Sequence, residues 1–168
     1  MEGLGRRNFL KLSTLVTAAL AGEGVGGLLK RLRAATPLVA GGGGDPDPPN
    51  ELVAKLIHDC VGDREIKRGH VVLDMPDVAE DGRIVPVEIG SDLPVTEAQY
   101  VKAVYLFVDF NPDPLLAVYR FTPATGPLAV STRIKMRRTS WIRAIVETST
   151  GEVWADYKKV ETTLNGCG

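Results

Sequence analysis

Residues 128–137 read Leu128-Ala129-Val130-Ser131-Thr132-Arg133-Ile134-Lys135-Met136-Arg137. Leu128, Val130, Thr132, Ile134 and Met136 alternate with Ala129, Ser131, Arg133, Lys135 and Arg137. That period of two marks a strand with one face on a core and the other in water. Short runs of the same kind lie on both sides: His70–Asp74, Ile84–Gly90, Val101–Asp109, Leu115–Phe121, Ser140–Glu147, Glu152–Tyr157 and a last one ending near Leu164. Turn-forming clusters separate them, at Glu80-Asp81-Gly82, Asn111-Pro112-Asp113-Pro114, Thr125-Gly126-Pro127 and Thr150-Gly151. Seven or eight short strands at this spacing predict an all-β, immunoglobulin-like β-sandwich, with a small closed barrel as the alternative. The 18 glycines and 11 prolines agree with a chain of many turns. One helix is predicted, before the strands. Asn50 can cap it, and Leu52, Val53, Leu56, Ile57 and Cys60 fall on one stripe.

The front of the chain has another character. Gly5-Arg6-Arg7-Asn8-Phe9-Leu10-Lys11 is a twin-arginine export pattern, and the apolar stretch Leu12–Ala21 behind it is too short to span a bilayer. Residues 1–40 are therefore expected to be a twin-arginine signal peptide, and the protein to be periplasmic and exported folded. Gly41–Pro49 reads as a flexible linker, 50–164 as the domain and 165–168 as a tail. The charge divides the same way. Residues 1–35 hold six Lys/Arg and two acids, a net +4; the remaining fourteen basic and nineteen acidic side chains give −5. A mildly acidic body argues against nucleic acid or a membrane surface as the partner.

No phosphate loop, nucleophile elbow or zinc spacing occurs, so a carrier or binding module is expected, without metal or cofactor. His58-Asp59-Cys60 offers three ligand types in a row, but adjacent helical residues point apart and do not share one metal. Cys60 itself is expected to pack inward. Cys167 differs. It sits in Leu164-Asn165-Gly166-Cys167-Gly168, where little side-chain bulk restrains the backbone. Extended, the tail carries the thiol about 10 Å beyond Leu164. The adjacent carboxylate of Gly168 should raise the thiol pKa, which suits stable holding of cargo more than fast disulfide exchange. Two other readings use the same residues: a thiol–disulfide protein pairing Cys60 with Cys167, and a plain secreted interaction domain. Arg133, Lys135, Arg137, Arg138 and Arg143 are expected to form a basic cluster on one edge, a docking patch for acidic partner surfaces.

Together these segments resemble the SoxY family of thiosulfate-oxidation proteins. The resemblance rests on Leu73-Asp74-Met75-Pro76-Asp77-Val78-Ala79-Glu80-Asp81-Gly82, Val85-Pro86-Val87, Asn111-Pro112-Asp113-Pro114, Ser131-Thr132-Arg133-Ile134-Lys135-Met136 and the cysteine-bearing tail. It implies an immunoglobulin-like fold and a heterodimer with a SoxZ-like subunit. It implies that Cys167 carries thiosulfate as a Cys-S-sulfanesulfonate, with Asn165, Gly166 and Gly168 as the flexible tail. It further implies that SoxAX forms that bond oxidatively, that SoxB hydrolyses off sulfate and that other enzymes, SoxCD-like ones being one option, oxidise or remove the remaining sulfane sulfur. The family tail usually reads Gly-Gly-Cys-Gly-Gly; here Asn165 stands at the first glycine and the last is missing.

Overall fold

The computed structural model describes residues 45–164. Helix α1 spans Glu51–Val61, and nine strands follow. They are β1 Ile66–Arg68, β2 Val71–Asp74, β3 Val78–Asp81, β4 Val85–Ser91, β5 Val101–Val108, β6 Leu115–Arg120, β7 Ala129–Ile134, β8 Ser140–Thr148 and β9 Val153–Leu164. The larger sheet runs β1-β9-β8-β5-β6, with β3 also pairing β9; the smaller runs β2-β4-β7. This is the expected sandwich with a helix ahead of it.

The layering explains the sequence pattern. The two sheets enclose one core, including Val85, Val87, Ile89, Val104, Leu106, Ile142 and Val146. The helix closes a second on the far face of the larger sheet, with Val61, Tyr105, Phe107, Ile145 and Ala155. β5 and β8 are therefore covered on both faces and read as nearly continuous apolar runs. β4 is covered on one face only, so Val85, Val87 and Ile89 are buried while Pro86 and Glu88 are exposed. β7 keeps the expected phase: Arg133 is exposed, and Leu128, Ile134 and Met136 are buried.

Two expectations are corrected. The strands expected at Glu152–Tyr157 and near Leu164 are one strand of 12 residues, β9. Leu52 is 52% exposed; the buried helical residues are Val53 and Val61. Asp47, near the end of the stretch read as a linker, makes two hydrogen bonds to β8. Its carboxylate accepts from Trp141 Nε1 at 2.8 Å, and its carbonyl accepts from Arg143 Nη2 at 2.8 Å. Residues 1–40, with Arg6 and Arg7, lie outside the described residues.

Candidate functional site

β9 leads the chain toward the cysteine tail, and its last turn of sequence is held from two sides. Its antiparallel pairing with β8 runs as far as Ser140 opposite Val160. Beyond that point β3 takes over in parallel, with Val78 opposite Glu161 and Asp81 opposite Leu164. Glu161 N donates to the Asp77 carbonyl at 2.9 Å, and Thr162 N donates to Thr139 Oγ1 at 3.0 Å. Thr163 Oγ1 donates to the Glu80 carbonyl at 3.0 Å. The strand is thus fixed up to the position where the tail begins. Cys167, Asn165, Gly166 and Gly168 lie outside the described residues. The distance available to Cys167 from Leu164 is at most about 10 Å, from chain geometry alone.

The β7–β8 loop borders this exit. Met136 N donates to the Gly82 carbonyl at 2.6 Å, and Gly82 directly follows the Asp81 that faces Leu164. Arg133, Lys135, Arg137 and Arg138 are all exposed. Arg143 is not part of this patch. It is 3% exposed, and its Nε and Nη2 donate to the two carboxylate oxygens of Asp109 at 2.8 and 2.7 Å. The expected five-residue docking patch therefore loses Arg143, whose charge is neutralised inside the protein by a bidentate partner.

Cys60 belongs to the core under the helix. It is half-buried on α1 and packs with Val153, Ala155 and Tyr105. Burial pushes its thiol pKa up, and the nearby Asp59 and Glu147 carboxylates add to the shift. A neutral thiol is a weak nucleophile. Ala155 and Leu164 belong to one continuous strand, and nine residues of it span about 30 Å.

The polar groups near Cys60 form a structural lock. Glu147 accepts from Lys102 Nζ at 2.9 Å, Arg64 Nη1 at 3.0 Å and Tyr105 Oη at 3.0 Å. Arg64 Nε also donates to the Val61 carbonyl at 2.7 Å, so the lock ties the end of α1 to β5 and β8. His58 meets Asp63 at 3.1 Å, and His70 meets Asp92 at 2.7 Å and packs edge-on against the Trp154 ring. Among the described residues no three His, Cys, Asp or Glu side chains converge as metal ligands would.

The sequence matches the family described as "Sulfur oxidation protein SoxY" over residues 57–167, a span that includes the tail cysteine. Among solved structures, the sulfur carrier protein SoxY from Chlorobium limicola f thiosulfatophilum is similar in fold. It has a TM-score of 0.57 and 22% identity, over 67% of this chain and 96% of that one. A superoxide reductase (neelaredoxin) from Ignicoccus hospitalis is also similar, at TM-score 0.51 and 15% identity, over 56% of this chain and 80% of that one. Identities this low speak to the sandwich fold alone. No curated protein matches the chain in sequence.

Proposed function

The chain belongs to the SoxY family of sulfur-oxidation proteins, and from that premise we propose that it carries thiosulfate-derived sulfur covalently on Cys167. The observation that carries the reading is the family match, which extends to residue 167. The geometry at Leu164 supports it: the strand is pinned on both sides, and the cysteine follows within a short reach. The other thiol, Cys60, is half-buried and kept neutral.

The chemistry is a cycle on one sulfur. The Cys167 thiolate and thiosulfate lose two electrons to a SoxAX-type haem oxidant and join as Cys-S-S-SO3−. Water then attacks the sulfonate sulfur with SoxB-type catalysis. Sulfate and two protons leave, and an ionised persulfide stays on the cysteine. Glycines on both sides of Cys167 impose few steric limits, which suits presenting the same sulfur to successive enzymes. A SoxZ-like subunit completes the carrier as a heterodimer, and the complex works in the periplasm. Export through Arg6-Arg7 is tested by changing both to Lys; the precursor should stay in the cytoplasm, and normal periplasmic levels would refute it.

The carrier assignment is tested with two serine variants. Cys167→Ser should abolish loading by thiosulfate and the partner enzymes. Cys60→Ser should load like the unaltered protein. Loading that survives in Cys167→Ser would defeat the proposal.

A further inference from the structure

We infer that the β7–β8 loop is an anion-binding face that draws sulfonate-bearing reagents and cargo to Cys167. The inference rests on Cys167 being the attachment point and adds a recognition element to it.

Three observations point the same way. The first is position. The loop touches the strand that ends at Leu164 through the Thr162–Thr139 hydrogen bond of 3.0 Å. It touches the neighbouring Gly82 through the Met136 amide at 2.6 Å. Lys135, Arg137 and Arg138 flank these two contacts in sequence, on the loop that meets β9 just before its end at Leu164.

The second is that the loop is built rather than loose. Asn111 holds it from both sides: its Nδ2 donates to the Lys135 carbonyl at 2.7 Å, and its Oδ1 accepts from Arg137 N at 3.0 Å. Between them Met136 is fully buried and serves as an anchor. The Arg138 guanidinium lies 4.0 Å from the centre of the Phe110 ring. The turn residue Asn111 thus sets the spacing of the cationic side chains.

The third is charge. The chain beyond residue 35 carries a net −5, and most of its well-placed cations are matched. Arg64 and Lys102 meet Glu147, Arg68 meets Asp156, Lys67 meets Glu152, and Lys158 meets Asp77. Lys135, Arg137 and Arg138 are exposed and form no ion pair among the described residues. A concentration of unmatched positive charge on a loop that contacts the end of β9 favours anions in its vicinity. Thiosulfate is a dianion, and the loaded cysteine ends in a sulfonate.

The test needs no partner enzyme, so it is independent of whether enzymatic loading occurs. In the Cys60→Ser protein, Cys167 is the remaining thiol. Its second-order rate is measured with tetrathionate, a dianion, and with neutral iodoacetamide. The thiolate attacks an inner sulfur of tetrathionate, expels thiosulfate and becomes Cys-S-S-SO3−, so the probe also delivers the proposed cargo. Taking the ratio of the two rates cancels any change in thiol pKa. Replacing Lys135, Arg137 and Arg138 together by Gln should lower the ratio about threefold at 0.15 M salt and about tenfold at 0.01 M. In the unaltered loop the ratio should fall as salt is raised, a measurement that stands even if the triple variant folds poorly. A ratio unchanged by the substitutions, or independent of salt, overturns the inference. An unchanged ratio accompanied by lost enzymatic loading also overturns it, and assigns the loop to acidic surfaces of the enzymes instead.

Discussion

Glu147 shows how one buried carboxylate can make stability depend on pH. Burial alone would raise its pKa, but hydrogen bonds from Lys102, Arg64 and Tyr105 outweigh burial and hold it below the usual range. A depressed folded pKa means that the unfolded chain binds the proton more readily. The stabilisation is therefore complete above the unfolded value of about 4.3 and is lost as pH falls through the lower folded value. Urea denaturation at pH 7 should show Glu147→Gln destabilised by about 2 kcal/mol, since it weakens charge-assisted bonds. The loss should shrink as the pH is lowered below about 4. An equal loss at pH 7 and pH 3 would contradict this. Neither Glu147 nor Arg143 was legible as a buried charge in the sequence. Both sit in β8 among apolar residues, and their partners are remote: Arg64 is 83 residues from Glu147, and Asp109 is 34 from Arg143. Arg143 reads as one of several basic residues, and nothing local to it announces Asp109. The neighbours Arg133, Lys135, Arg137 and Arg138 were legible because they alternate with, or follow, residues whose apolar character fixes the inward face.

At the scale of elements, α1 is governed by its first residue. Asn50 Oδ1 accepts from Val53 N at 3.0 Å, and its Nδ2 donates to the Asp109 carbonyl at 3.1 Å. One side chain thus caps the helix and fixes it to the end of β5. Asn50→Ala should cost about 1 kcal/mol or somewhat more, while Asn50→Asp keeps the cap and should cost less. Thermal melts of the two variants settle it; equal losses would mean that the cap contributes nothing separable. The cap and the helix were legible because capping is local. β1 and β3 were not. Each is three or four residues long and pairs in parallel with β9, so its strand character comes from a partner more than 80 residues on. The charged stretch Lys158-Lys159 likewise suggested a break where β9 continues. Lys158 pairs with Asp77 there, while Val160 between the exposed Lys159 and Glu161 is buried. β5 and β8 show the opposite case. Their unbroken apolar runs were recognisable as strands, and only the structure shows that a helix covers the second face.

At the scale of the molecule, Cys60 packs against the cluster that holds Val153 and Ala155, whereas the proposed carrier cysteine follows Leu164 in the sequence. Cys60 is packed beside the start of the strand, and the chain reaches Cys167 only beyond its far end. We therefore assign Cys60 a structural part and Cys167 the proposed working one. Peptide mapping of the loaded protein tests this division most directly. Cleavage after Lys and Arg places Cys60 in the peptide Leu56–Arg64 and Cys167 in Val160–Gly168. After thiosulfate and the oxidative partner, the Val160–Gly168 peptide should gain about 112 Da, the mass of the sulfanesulfonate formed by the thiolate chemistry. After the hydrolytic step it should retain about 32 Da, one sulfane sulfur on the same cysteine. Leu56–Arg64 should remain unmodified throughout. Either mass on the Cys60 peptide, or no added mass on Val160–Gly168, would contradict the account.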